Sequence, residues 1–132
     1  MNDLFKDIKE FHEKFGLEYN GYPKELNDSV MLYRMCFMLE ELNEYIASVH
    51  KHDLEGAFDA LIDLVYVALG TAYFHGFPFN EGWKLVHEAN MKKIRTAHKG
   101  HSKRNSEFDI IKPEGWEAPD LSELIRRKKL DE

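Results

Sequence analysis

Two short acidic clusters set in apolar, helix-like sequence constrain this chain more than anything else in it. The first reads Glu40-Glu41-Leu42-Asn43-Glu44 and the second Asp59-Ala60-Leu61-Ile62-Asp63. Asp63 interrupts a run that continues as Leu64-Val65-Tyr66-Val67-Ala68-Leu69. A carboxylate in such surroundings must keep contact with water, shift its pKa or acquire a cation. Residues three or four apart share a helix face, so Glu41 neighbours Glu44, Glu40 neighbours Glu44, and Asp59 neighbours Asp63. Each like-charged pair costs roughly 0.2–0.5 kcal/mol in water, and more where water is excluded. A divalent cation reverses that sign. Mg²⁺, a hard ion that takes oxygen ligands, suits two such clusters facing each other, and points to metal-dependent phosphate chemistry. The plainer alternatives are a solvated helix face for Glu40 to Glu44 and a hydrogen-bonded core aspartate for Asp63.

Periodicity reads as helix throughout. Leu4, Ile8, Phe11 and Phe15 form one apolar stripe ended by Gly16. After a loop with Gly21 and Pro23, a second helix is expected from Asn27 or Asp28, either a good N-cap, to about Lys51. Asp53 can cap a third, closed by Gly76 and Pro78 and apolar nearly all round, as for a helix surrounded by others. Asn80 can cap a fourth through about Thr96, with Trp83, Val86, Met91 and Ile94 as candidate buried positions. No segment sustains period-two alternation, and no internal repeat is present. The basic stretch 97–106 reads as loop, followed by an extended tail with Pro113 and Pro119 and a last short helix within 121–130. The expectation is an all-α bundle.

At 132 residues, one domain spanning 1–132 is expected, with the extended C-terminal tail from about residue 106. A formal charge of −6 argues against a general nucleic-acid binder. Lysine and arginine nonetheless gather at 92–104 and 126–129, so a phosphate-bearing small molecule can be met locally. Cys36 is the single cysteine, which excludes an intrachain disulfide. The N-terminal residues carry no signal-peptide pattern, and the longest apolar run is short and carries Asp63. No membrane is expected, and the cytoplasm is the expected compartment.

Other chemistries fit less well. No Glu is followed three residues later by His, which excludes the ferritin-like di-iron pattern. The His52-Asp53 doublet, a mark of some phosphohydrolases, falls where a helix needs its cap. The seven histidines show no zinc spacing joined to cysteine. His12 and His87 read as ordinary helix residues, Phe11, Phe15 and Trp83 as packing, and Lys99, Lys103 and Arg104 as a loop that can also meet phosphate.

Taken together, several segments resemble the MazG-type all-α nucleoside triphosphate pyrophosphohydrolases, a superfamily that includes phosphoribosyl-ATP pyrophosphohydrolases and dimeric dUTPases. The segments are Glu40-Glu41-x-x-Glu44, the hairpin to Asp59 and Asp63, and Asp63-Leu64-Val65-Tyr66-Val67-Ala68-Leu69-Gly70. Val86-His87-Glu88-Ala89-Asn90-Met91-Lys92-Lys93 is similar to the family's later helix with Asn and Lys, and Lys112-Pro113 to the tail of some relatives. The resemblance covers about residues 11–121. It departs at the second cluster, usually Glu-x-x-Asp: here Ala60 stands in the Glu position and the acid, Asp59, comes one residue earlier.

The resemblance implies a four-helix bundle of the MazG-like type, completed by oligomerisation as a homodimer or homotetramer. It implies Mg²⁺-dependent hydrolysis, with Mn²⁺ a substitute, of a nucleoside or deoxynucleoside triphosphate to monophosphate and pyrophosphate. Glu41, Glu44, Asp59 and Asp63 are then the metal ligands, Glu40 the catalytic group that orients or deprotonates water, and Asn90, Lys93 and Lys112 the substrate contacts. Two alternatives stay open: phosphoribosyl-ATP as the substrate, or a non-catalytic helical interaction module, for which the missing Glu at position 60 is the best argument.

Overall fold

A computed structural model describes residues 3–17 and 21–127. The chain divides into two compact units, Met1–Phe79 with Leu124–Glu132, and Asn80–Glu123. The protein is all-α, with one minimal two-stranded ladder among the described residues.

In the first unit, α1 (Leu4–Lys14) starts where the Asp3 side chain accepts from Lys6 N–H. Asn27 caps α2 (Asp28–His50) through Val30 N–H, and Asp53 caps α3 (Leu54–His75) through Gly56 N–H, both at 2.9 Å. These caps satisfy backbone donors that no helical carbonyl can reach. Capping is therefore the observed role of Asp53 in the His52-Asp53 doublet. His52 supplies the tight reversal between α2 and α3 with a left-handed φ of 57°. Gly76 ends α3 at φ 75°, and a Cβ there would run into the Tyr22 carbonyl, so glycine is required twice over.

The helices α2 and α3 pack antiparallel, early residues of one meeting late residues of the other. Arg34 Nη2 donates to the Val67 carbonyl at 2.9 Å and its Nε to Thr71 Oγ1 at 3.1 Å. Arg34 is buried, with its guanidinium between about 5 and 6 Å from the rings of Tyr33, Phe37 and Phe74. On the other side of α3, Ile8 of α1 joins Leu69 and Tyr73 in the core, with Phe5 and Phe79 against them. His12 of α1 is buried beside Tyr73 and Phe74. Gly70 leaves the space: a Cβ there would lie 2.6 Å from Arg34 Nη2 and 3.1 Å from His12 Nε2.

The expectations that other helices surround α3 and that Phe11 and Phe15 serve as packing need correction. The outer face of α3 is not enclosed: Phe58, Ile62 and Val65 are exposed, as are Leu39, Leu42 and Ile46 of α2 and Phe11 and Phe15 of α1. Within α2 the buried residues are Arg34 and Glu41, two turns apart on one face. By length and composition alone α3 is also long and apolar enough to cross a membrane, contrary to the expectation that this apolar run is too short.

In the second unit α4 (Phe79–Asn90) is shorter than the sequence suggests. Its last turn tightens, with Lys92 N–H donating to the Ala89 carbonyl and Lys93 N–H to that of Asn90. The chain then enters β1 (Ile94–Arg95), which pairs antiparallel with β2 (Ile110–Ile111), Ile94 opposite Ile111 and Arg95 opposite Ile110. Met91 and Ile94, three apart, mimic helical spacing, but the ladder claims Ile94. Ala89 is the buried position of α4, while Trp83, Met91 and Ile94 are exposed. A 3₁₀ turn (Lys99–His101) lies in the basic loop, and α5 (Ser122–Ile125) is the last short helix.

Candidate metal centre

Helical spacing places Glu40, Glu41 and Glu44 on neighbouring positions of α2, and their side chains converge. One carboxylate oxygen from each lies within 4.8 Å of the others. Glu40 and Glu44 are exposed, and Glu41 is buried. A cleft of about 470 Å³ opens beside Glu40 and Glu44, lined also by Cys36, Leu39 and Asn43.

Glu41 lies within the field of Asp63 on α3, and among the described residues its Oε2 has no hydrogen-bond partner. Burial pushes its pKa up to about 7; the charge of Glu44, a hydrogen bond shared with it, and then Asp63 and Glu40 push the same way. Asp63, half-buried on α3, is also raised, first by burial and then by Asp59 and Glu44. The two clusters thus share one negative field across the α2–α3 hairpin, with Asp63 joined to both. An unpartnered carboxylate oxygen in a low-dielectric site is costly. Such oxygen donors fit a hard divalent cation, which would take up that lone pair and cancel the repulsion.

Asp59 sits differently. It is exposed and lines a separate opening with Asp53, Glu55, Phe58 and Ile62. Ala60, where the family pattern has Glu, is 2% exposed, so the family position points into packed protein. Asp59 and Asp63 both lie outside the 4.8 Å group formed by the three glutamates. Sequence reasoning passed over Arg34, although a lone arginine in the apolar stretch before Glu41 was a visible signal. Its bonds to Val67 and Thr71 tie α2 to α3 two turns from Glu41.

In the second unit Asn90 is exposed at the end of α4, and Lys93 and Lys112 each lie about 5 Å from the ring of Trp116. Arg104 is engaged by Asp109, with both carboxylate oxygens 3.0 Å from Nη1. Ser102, foremost, and Arg104 hold the Asp109 carboxyl below its ordinary range.

A helical hairpin carrying a carboxylate cluster fits the class of the all-α, divalent-metal-dependent pyrophosphohydrolases. The family model described as phosphoribosyl-ATP pyrophosphohydrolase matches residues 8–90, more than half of the chain. The chain belongs to this family, within the MazG-like all-α superfamily. No curated protein sequence matches it.

Proposed function

We propose that this chain is a Mg²⁺-dependent pyrophosphohydrolase that converts a nucleoside or deoxynucleoside triphosphate and water to the monophosphate and pyrophosphate. One observation carries the reading: Glu41 is buried, has an unpartnered oxygen, and lies within a three-carboxylate group beside Asp63. An all-oxygen donor set suits Mg²⁺ and accepts Mn²⁺. Glu41, Glu44 and Asp63 would hold the ion, and Asp59, exposed one turn before Asp63, would have to turn toward them to serve as the fourth ligand. A divalent ion there supplies Lewis-acid polarisation of phosphoryl oxygens and offsets charge as the anhydride breaks. Glu40, exposed beside the cleft, takes the proton of the attacking water as general base while pyrophosphate departs. Asn90, Lys93 and Lys112 contact the substrate, the lysines as point charges for phosphate.

The reading includes a homo-oligomer, a dimer or a pair of dimers. Its support is the apolar surface left bare on α2 and α3, including Leu39, Leu42, Ile46 and Phe58. Large exposed apolar surface is what an interface with a second copy would cover.

The family description favours phosphoribosyl-ATP as the particular substrate. A panel of ribo- and deoxyribonucleoside triphosphates with phosphoribosyl-ATP, assayed for pyrophosphate release with Mg²⁺ and with chelator, separates the readings. Release from phosphoribosyl-ATP alone selects that substrate. No metal-dependent release from any of them leaves the interaction module.

A further inference from the structure

The ladder of the second unit is flanked by two lysines whose placement a structural role does not explain. Its register, Ile94 opposite Ile111 and Arg95 opposite Ile110, continues in the bond from Thr96 N–H to the Asp109 carbonyl. Carried one position the other way, it sets Lys93 opposite Lys112. Cross-strand neighbours of like charge are destabilising, because their side chains rise on the same face only about 5 Å apart. No carboxylate relieves the pair: among the described residues, neither ammonium is in an ion pair. Both instead lie on one indole, Lys93 Nζ 5.0 Å and Lys112 Nζ 5.1 Å from the centre of the Trp116 ring.

The sequence builds that indole into place. A turn over 113–116 closes with Trp116 N–H donating to the Pro113 carbonyl, and Gly115 takes φ 80° where a type II turn requires glycine. The chain thereby folds back beside Lys112. The indole N–H then donates to the Ala89 carbonyl at 2.7 Å, capping an acceptor of the last turn of α4. Trp116 is half-buried and has one orientation fixed at both ends, backbone and ring. The two ammonium nitrogens can be no more than about 10 Å apart, since each is about 5 Å from the same ring centre. With both ammonium groups on one side of the ring, a diphosphate is long enough to accept from both.

We infer that Trp116 is a positioning residue that holds Lys93 and Lys112 as a paired cation clamp for the diphosphate part of a polyphosphate ligand. The ring offers each ammonium its π face without neutralising it, so both charges stay available to phosphate oxygens. This deepens the pyrophosphohydrolase reading and rests on it for the identity of the ligand. It adds a residue outside the matched stretch 8–90 and a reason for the cross-strand lysine pair.

The test uses inorganic pyrophosphate in the absence of divalent metal, so that binding is read without turnover and without the carboxylate centre. In a Trp83→Phe background Trp116 is the sole indole, because the chain has two tryptophans. Pyrophosphate should change its fluorescence, and added salt should reverse the change. By calorimetry, Lys93→Met and Lys112→Met should each weaken pyrophosphate binding about tenfold. Trp116→Leu should weaken it by about as much, and Trp116→Phe should restore most of the loss because an aromatic face returns. Should Trp116→Leu fail to fold, the Phe variant and the two lysine variants still decide. Silent fluorescence, or binding unchanged in the lysine variants, would overturn the clamp. So would a Trp116→Phe variant as weak as Trp116→Leu. Clamp-dependent binding without hydrolysis of any nucleotide would sink the enzymatic reading and leave the clamp standing. Hydrolysis with pyrophosphate binding indifferent to Trp116 would do the reverse.

Discussion

Lowering the pH from 8 to 6 should weaken divalent-metal binding about tenfold through the Glu41–Glu44 pair. Metal requires the ionised carboxylate, so protons compete for the site. With Glu41 pushed to about 7, roughly nine-tenths of the sites are ionised at pH 8 and roughly one-tenth at pH 6. The proton is shared between coupled groups, so the midpoint belongs to the pair. Calorimetric titration with Mg²⁺ or Mn²⁺ at pH 6, 7 and 8 measures this directly. Glu41→Gln should bind weakly and lose most of the pH dependence. Stability gives an independent reading. Because the folded pKa lies above the ordinary 4.5, the contribution of Glu41 is fully present below about pH 4.5 and disappears as pH rises through 7. Asp63, also raised, acts in the same direction. The metal-free melting temperature should therefore fall between pH 5 and 8, and saturating metal should flatten that slope. A wild-type affinity that is constant from pH 6 to 8 would refute the assignment of Glu41 as a buried ligand.

Glu41→Gln should also abolish pyrophosphate release while leaving the helical circular dichroism intact; normal turnover at saturating Mg²⁺ would remove Glu41 from the site. Asp63→Ala should cost more activity than Asp59→Ala, because Asp63 is joined to both clusters and Asp59 only to Asp63; equal losses would show that the exposed aspartate is recruited fully. Gly70→Ala should destabilise by about 1–3 kcal/mol in urea unfolding, since the new methyl must displace Arg34 Nη2 from the Val67 carbonyl and crowd His12. An unchanged midpoint would mean that the guanidinium is free to move. Dilution should lower the melting temperature if the bare faces of α2 and α3 are covered by a second copy, and a concentration-independent midpoint would count against association.

The helices and their caps were legible because their signals are local. Asn27, Asp53 and Gly76 each act within a few residues of their own position. The glutamate cluster was legible for the same reason, as residues 40, 41 and 44 lie within about one turn. What the sequence hid depends on partners distant along the chain. Glu41, rather than Glu44, is the buried member because its azimuth faces α3. Ala60 and Asp59 differ by one residue, yet one is packed and the other exposed. The ladder was invisible because two-residue strands are too short to alternate, and Lys93 and Lys112 reach one indole from positions 19 residues apart in the chain. Trp116 gains its meaning only from that register.

The two buried side chains of α2 are a guanidinium and a carboxylate, not aliphatic groups. Unfolding gains heat capacity from apolar surface newly exposed to water and loses it from polar surface, for a usual net of about 12–15 cal/mol/K per residue. A lone chain that already leaves so many apolar side chains of α2 and α3 in water exposes less new apolar surface on melting than a closed core of the same length. Its stability curve should therefore be shallow, with warm and cold unfolding far apart. The ordinary curvature would enter only when Leu39, Ile46 and Phe58 leave water against another surface.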